Sequence, residues 1–568
     1  MASENILSGP PAVPLADPSK PLGEFLLEKL KTHGDGIAQV DAVTGKSHTY
    51  NEICTLSLRL AETMRYGRPE TNRCHLATGD IVGICSENTI DYCIPVLSSL
   101  YLGAAVAPIN SSYTTRELEH TLNISKPKIV FASKSALKNL MEAARVLEFI
   151  KLVVVMDEIQ NFAIDSQRTG ISSKNGIVRS INDLLYPVEK FIPSIPIEKD
   201  LPRVNQSQHV ALIMSSSGTT GLPKGVMLTH RNIYAYILQT EHMNLFAKEK
   251  KICLALMPFF HAYGLLTILQ LAAIGLKVVV MQHFEADIFL KAIEKYKITT
   301  LPLVPPLMVF LSKDPRVERY DLSSVSEILC GAAHLAGDLE GKVESIMNRH
   351  RSRIGAPPCF VRQGYGLTEM TLGVMTSPPG GKKLGSVGCL FPGVQAKVVD
   401  LKTGKALGPN KEGELCFQGR IMMKGYINNK EATVNMIDKD GWLHSGDIGY
   451  YDRDGHFYII DRLKELIKYK GFQVPPAELE GLLLQHPLIQ DAAVIGIPNE
   501  VAGEVPKAFV VKQKGAKLSE ADVISFVEKR VSSPKRLRGG VRFLESIPKT
   551  ASGKILRREL RTLVKSKI

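Results

Sequence analysis

Residues 214–225 read MSSSGTTGLPKG, in which Ser, Thr and Gly fill eight of twelve positions and a Lys follows a Pro. A segment of that composition has little to pack into a core. Gly218 and Gly221 allow backbone angles that turn successive N–H groups to one side, and the hydroxyls of Ser215, Ser216, Ser217, Thr219 and Thr220 add donors. Such a loop suits phosphate oxygens, with Lys224 as the cation beside them. The apolar run HVALIMS before it reads as a strand and HRNIYAYILQTEHM after it as a helix, which predicts a strand-to-helix turn. It is not a Walker P-loop, because Pro223 precedes Lys224 and Gly225 follows it. A plain Ser/Gly linker has the same composition.

Four further stretches combine glycine with reactive side chains. QGYGLTEMT, 363–371, brings together Tyr365, Thr368 and Glu369: a ring that can stack on a purine, a hydroxyl for phosphate and a carboxylate for Mg²⁺. GWLHSGDIGYYDRDG, 441–455, presents Asp447 in a Gly-flanked turn, suited either to the two hydroxyls of a ribose or simply to closing the turn. IPKTASGKILRREL, 547–560, carries Lys549 and Lys554 around Gly553, either as a basic turn or as a cation for a developing phosphoryl or carboxyl oxygen. PFFHAYGLL, 258–266, sets His261 in an apolar run, where a histidine is either a satisfied core residue or a catalytic one.

These stretches need a scaffold, and the pattern around them supplies one. Apolar runs such as DIVGIC, AAVAPIN, KIVFAS and KLVVVMD alternate with helix-like DYCIPVLSSLYLG and SALKNLMEAARVL. That alternation predicts an α/β chain with βαβ-type, mostly parallel sheets. A polar stretch from about 158 to 206 reads as an exposed excursion. From about Leu384 to Ile460 short strands with Gly and Asp turns predict a β-rich subdomain. A fresh α+β unit then begins, with helices in PAELEGLLLQHP and LSEADVISFVEKRV, the second opened by a Ser519–Asp522 capping box. The expected division is a large N-terminal domain over 1–460, a hinge at 461–464 and a small mobile lid over 465–568.

Composition narrows the class. The chain has 568 residues, 44% hydrophobic and 22% charged, and carries a net charge of +13, as ordinary globular proteins of more than one domain do. Nine cysteines without a CxxC pair argue for reduced thiols inside a cell rather than a disulfide framework or zinc. The start MASENILSGPPAVPLADPSKP shows no basic stretch followed by an apolar one, so no secretory signal is expected. The uncharged run 252–276 is long enough to span a bilayer, but Pro258, His261 and two glycines interrupt it, and buried strands beside buried helices give similar runs. No transmembrane segment is expected. From Lys529 to Ile568 there are 13 Lys and Arg against Glu545 and Glu559, a balance of +11. No nucleic-acid motif accompanies that tail.

The ordered motifs SSSGTTGLPKGV, FFHAYG, GYGLTE, GWLHSGD, DRLKELIKYKG and PKTASGK resemble those of the adenylate-forming superfamily of acyl-CoA synthetases, 4-coumarate:CoA ligases and beetle luciferases, over nearly the whole chain. The resemblance implies a two-step ligase using ATP, Mg²⁺ and coenzyme A. A carboxylate attacks the α-phosphorus of ATP, and the CoA thiol then attacks the acyl-adenylate. It assigns Ser215 to Lys224 to the β- and γ-phosphates, and Gln363, Gly364, Tyr365 and Gly366 to adenine. Thr368 and Glu369 fall to phosphate and metal, Asp447 and Arg462 to ribose, and Lys554 to the carboxylate and α-phosphate. Lys464 is the implied pivot. Rotation about it would bring Lys468 to Gln473, including Gly471, over the acyl site, with the pantetheine arm passing Gly471.

By position beside these motifs the acyl pocket is expected to be lined by His261, Ala262, Tyr263, Gly264, Thr267, Gly331, Ala332 and Leu372, with His261, Lys224, Glu369 and Lys554 as the catalytic group. Beetle luciferases typically carry Ser where Leu372 stands, two His at Phe260 and His261, and Arg at Tyr236. A largely apolar pocket favours medium- or long-chain fatty acids, with 4-coumarate-type acids or luciferase-type oxidation as alternatives. The terminal Ser566-Lys567-Ile568 is similar to the peroxisomal address Ser-Lys-Leu, so an import receptor is an expected partner and the peroxisome the expected location, with the cytoplasm as alternative.

Overall fold

In the computed structural model, residues 5–15, 17–66, 75–156, 177–185, 196–216, 223–246, 252–333, 335–378, 380–470, 472–550 and 553–565 are described. Short Val- and Ile-rich runs form strands buried on both faces, as parallel sheets covered by helices require. Ile81–Cys85, Ala105–Ile109, Ile129–Ala132 and Leu152–Val155 lie side by side in parallel within an eight-stranded sheet that continues to Ile177–Ser180 at one edge. At the other edge lie Val210–Ser216, Lys224–Thr229 and Gly425–Tyr426. A nine-stranded sheet is built around parallel Ile252–Ala255, Lys277–Val280, Thr300–Leu303, Glu327–Cys330 and Phe360–Gly366. One hydrophobic core spans helices and strands of both sheets and reaches the β-rich unit.

The uncharged run 252–276 resolves into the strand Ile252–Ala255 and the buried helix Ala262–Ala273, and no helix among the described residues is long and apolar enough to cross a membrane. The β-rich unit is an antiparallel sheet in the order Leu7–Ser8, Val394–Val399, Gly413–Gly419, Leu443–Tyr451, Phe457–Arg462, with Ala406–Leu407 pairing beside it. The eight described cysteines are free thiols.

The lid has its own core and its own sheet, Phe472–Val474, Ile467–Tyr469, Gly503–Lys512 and Ile489–Asn499, with Val541–Phe543 added on Gly503–Lys512. Ser519 caps the helix Glu520–Glu528 with the full reciprocal pair to Asp522, a device that contributes about 1 kcal/mol. The expected hinge at 461–464 covers the end of a strand and the start of a turn. Asp461 and Arg462 end the strand Phe457–Arg462, and the connector is the turn 463–466, in which Lys464 is exposed. Asp461 already reaches across, its Oδ2 accepting the Ala477 N–H at 2.8 Å.

Two expectations change. Asp447, expected in a Gly-flanked turn, lies within the strand Leu443–Tyr451 opposite Arg462, where the sheet needs its backbone in register. The phosphate-type loop does not run from strand to helix: Lys224–Thr229 is a further strand, antiparallel to Val210–Ser216, with Lys224 opposite Ser216. The helix His230–His242 follows only after it, capped by Thr229 and Asn232. The loop therefore joins two antiparallel strands, and its ends, Ser216 and Lys224, are held in register. Ser217, Gly218, Thr219, Thr220 and Gly221 lie outside the described residues, as do Gly471 and the terminal Ser566, Lys567 and Ile568.

Candidate active site

Four elements converge on the carboxylate of Glu369. The strand Phe360–Gly366 delivers the single turn Thr368–Met370, which buries Glu369. Ser216 at the end of its strand donates its hydroxyl to Glu369 Oε1 at 2.8 Å. Tyr426, whose strand pairs with Lys224–Thr229, donates its phenol to the same oxygen at 2.8 Å, and the Lys224 Nζ sits 5.0 Å from the centre of the Tyr426 ring. Glu369 Oε2 and the Thr368 hydroxyl take no hydrogen bond among the described residues. A hard carboxylate oxygen beside a phosphate-type loop fits Mg²⁺, which binds through one or two carboxylates plus substrate phosphates.

The local backbone is strained where this turn meets its neighbour. Thr371 has φ +68°, and its hydroxyl is tied to the Ile421 carbonyl at 2.6 Å. Gly366 admits no side chain, since a Cβ there would fall 1.7 Å from the Leu372 carbonyl oxygen. Such strain in a glycine-rich turn is a recurrent mark of a binding site.

A second group forms on the β-rich sheet. Asp447 and Arg462 are cross-strand partners, with Nε 3.5 Å from Oδ1, and Tyr365 donates its hydroxyl to Asp447 Oδ2 at 2.6 Å. The Tyr365 ring leans on Phe417, which fixes its plane. Burial raises the Asp447 carboxyl above its usual range, against the pull of Arg462. The same burial holds the Tyr365 phenol well above its usual range.

The lid supplies the third component. Lys554 closes a tight turn in which its N–H donates to the Thr550 hydroxyl at 3.1 Å and the Thr550 N–H donates to the Lys554 carbonyl at 2.8 Å. Gly553 takes φ +82°, and a Cβ there would stand 3.2 Å from Val304 of the large domain, so the turn is seated against that domain. Burial pushes the Lys554 ammonium down to about 8, with Arg462 adding to the shift and Glu369 and Asp447 opposing it. Among the described residues the ammonium makes no ion pair. A part-buried cation within electrostatic reach of Glu369 and Asp447 but paired with neither suits an anion.

His261 caps the helix Ala262–Ala273, its Nδ1 accepting the Tyr263 N–H at 3.2 Å. That bond leaves the ring proton on Nε2. Burial, with the Lys554 charge adding to it, lowers the imidazole to about 3, so His261 is a neutral donor. Tyr263 uses its hydroxyl on the Leu329 carbonyl at 2.8 Å and so offers a ring face rather than a donor. Gly331 stands beside that ring, Ala262 and Thr267 are buried in the same helix, and Leu372 packs against both large-domain cores. Gly264 presses on the Pro258 carbonyl, where any Cβ would clash. Ala332 holds φ +71° in the turn after Glu327–Cys330.

Some expected residues are not brought in. The Gln363 side chain points into the core, donating to Glu340 Oε2 at 2.6 Å and to the Leu335 carbonyl, so a contact with adenine would come from the backbone of 364–366. Lys468 and Gln473 are exposed on the hairpin of the lid, with Lys468 N–H bonded to Glu504. Tyr426 is a site residue that the motif reading passed over; the only signal was an isolated Gly-Tyr pair ahead of a polar run.

A family model described as AMP-binding enzyme matches residues 26–427, and a second, the AMP-binding enzyme C-terminal domain, matches 478–554. The chain belongs to the AMP-binding enzyme family. Luciferin 4-monooxygenase of Photuris pensylvanica is 43% identical over 99% of this chain and 98% of that relative. 4-Coumarate–CoA ligase 4 of Arabidopsis thaliana is 38% identical over 95% of this chain and 91% of that relative. Among solved structures, the anthranilate CoA ligase AuaEII in complex with anthranoyl-AMP shares the fold at TM-score 0.81 and 22% identity, covering 98% of this chain and 99% of that one. A red-emitting luciferase from Phrixothrix hirtus aligns at TM-score 0.68 and 40% identity, with 99% of both chains covered. The two-domain α/β architecture is therefore that of adenylate-forming enzymes, and this chain is an enzyme of that family.

Within this family Tyr426 gains a measurable role. Tyr426→Phe removes one of the two donors that orient Glu369 and is expected to cut acid-dependent ATP–pyrophosphate exchange about tenfold and to raise the Mg²⁺ concentration needed for half-maximal rate. An unchanged Mg²⁺ dependence would show that the phenol does not orient the metal-binding carboxylate.

Proposed function

We propose that the protein is an AMP-forming acid:CoA ligase acting on medium- or long-chain fatty acids. The observation that carries the ligase reading is Lys554, held without a carboxylate partner between Asp447, Arg462, Glu369 and the imidazole of His261. In that place its ammonium can bridge the carboxylate of an acid and the α-phosphate of ATP, lowering their mutual repulsion and aligning the attack. Lys224 and the adjoining loop receive the β- and γ-phosphates, Asp447 takes the ribose hydroxyls, and the Nε2–H of His261 donates to the acid. Glu369 and Thr368 would hold Mg²⁺, which when bound neutralises the charge on the phosphate oxygens. CoA then attacks the acyl carbon, forming the thioester as AMP leaves.

The fatty-acid reading rests on the largely apolar character of the residues expected to line the acyl site. Tyr263 has its hydroxyl engaged, Leu372 adds aliphatic surface, and Tyr236 lies buried and stacked on Phe391. None of these offers a cation or a free donor to orient a heteroaromatic acid. The luciferase relatives support a second reading, in which the adenylate of a luciferin is oxidised by O₂ with light emission. Pyrophosphate release with Mg·ATP across C6 to C18 fatty acids, 4-coumarate and luciferin, each with and without CoA, separates the readings. Release driven by a fatty acid and yielding its acyl-CoA is expected; release with 4-coumarate alone would show an aromatic-acid ligase, and light with luciferin an oxygenase.

A further inference from the structure

The helix Pro305–Lys313 of the large domain touches the lid at both ends. At its N-terminal end Val304 and Pro306 seat Gly553, next to Lys554. At its C-terminal end the Lys313 ammonium donates to the Leu484 carbonyl at 2.9 Å and to the Ile489 carbonyl at 2.5 Å. Leu484 closes the lid helix Pro476–Leu484, and Ile489 opens the lid strand Ile489–Asn499. A cation at this point satisfies the Leu484 carbonyl, which the helix end leaves unpaired, and meets the negative end of the helix dipole.

The strand that Lys313 grips leads to the catalytic loop. Asp491, two residues beyond Ile489, accepts the Lys549 ammonium at 2.6 Å, and Lys549 pairs with Ile555 across the turn that ends in Lys554. A second tie runs alongside, from Gln485 Nε2 to Asp338 Oδ2 at 2.8 Å. A nine-residue helix is about 13 Å long, so one rigid rod fixes the lid at two points, one of them the lysine loop itself and the other at Leu484 and Ile489. Among the described residues Lys313 makes no ion pair; its charge serves the two lid carbonyls.

We propose that Lys313 is a positioning residue, a latch that holds the lid in the orientation placing Lys554 at the reaction centre and that must let go for the thioester-forming step. The proposal rests on the two-step ligase reading. Its consequence is an asymmetry: loss of the latch disfavours the adenylating orientation and not the other one.

Lys313→Met is expected to slow ATP–pyrophosphate exchange about five- to tenfold through kcat, with KM for ATP little changed, because a charged donor to two carbonyls is lost while the nucleotide site is untouched. Thioester formation from the supplied acyl-adenylate, made from whichever acid drives most exchange, should stay equal or rise. Lys313→Arg should restore most of the exchange. Equal loss in both half-reactions, or no loss in either, overturns the latch. If no acid drives exchange in the unaltered protein, the ligase reading fails instead, and hydrogen exchange decides the latch without substrate. In that measurement amides 482–491 are expected to exchange faster in Lys313→Met and normally in Lys313→Arg, whereas identical protection in all three proteins overturns it.

Discussion

Lys554→Ala is expected to cut acid-dependent pyrophosphate release by about a hundredfold or more, while thioester formation from a supplied acyl-adenylate stays within about threefold of the unaltered enzyme. The size follows from removing a preorganised charge aimed at the reacting oxygens, and the selectivity from the proposed rotation of the lid that carries it. The pH profile supplies a second check. With the folded pKa depressed to about 8, Lys554 is charged below that value and neutral above it. In the free enzyme, kcat/KM for adenylation therefore falls as pH rises through about 8, approaching tenfold per pH unit, and the residual activity of Lys554→Ala lacks that fall. Parallel loss of both half-reactions would deny the lysine its separate role.

Asp447→Ala should behave differently, because the AMP moiety is held in both steps. The substitution removes the proposed ribose acceptor and also strips Tyr365 and Arg462 of their shared partner. Expected is a loss of about a hundredfold in kcat/KM for ATP, mostly in KM, together with a similar weakening of acyl-adenylate use in the thioester step. Asp447→Asn keeps one acceptor oxygen and should recover part of it. Isothermal titration with ATP and single-turnover assays with acyl-adenylate measure the two effects. Normal use of acyl-adenylate by Asp447→Ala would place the ribose elsewhere. The pair of variants thus separates a group serving one step from a group serving both.

Much of the scaffold was legible in the chain because its strands are short apolar runs between helices of clear period. Ile81–Cys85, Ala105–Ile109, Ile129–Ala132 and Leu152–Val155 announce themselves that way, and the β-rich unit shows in its Gly and Asp turns. The strand Lys224–Thr229 was not legible, because its few residues run directly into the Thr229 cap and the following helix, and nothing in the composition separates strand from helix approach. For a related reason Asp461 and Arg462 look like a polar linker but are the paired end of a strand, where Asp461 also ties the helix Pro476–Leu484.

The site was readable as motifs and not as contacts. Glycine-rich, charged stretches single out Glu369, Asp447 and Lys554 because packing alone gives such composition little use, although Asp447 sits on the paired strand Leu443–Tyr451. Which of their neighbours complete the site is a matter of three-dimensional register. Gln363 carries the right polarity for a nucleotide contact, yet its side chain is consumed by Glu340 in the core. Tyr426 looks unremarkable in sequence, yet pairing of its strand with Lys224–Thr229 sets its phenol on Glu369 and its ring beside Lys224. Lys313 sits at the end of an ordinary helix, and only the docked lid gives its charge a function.

The most direct test of the central claim is a competition assay. Incubation with Mg·ATP, CoA and an equimolar mixture of C6 to C18 fatty acids, 4-coumarate and luciferin, with products identified by mass spectrometry and emitted light recorded, should yield AMP, pyrophosphate and medium- or long-chain acyl-CoA, all lost in Lys554→Ala. Coumaroyl-CoA as the dominant product, or light with no acyl-CoA, would contradict the fatty-acid ligase account.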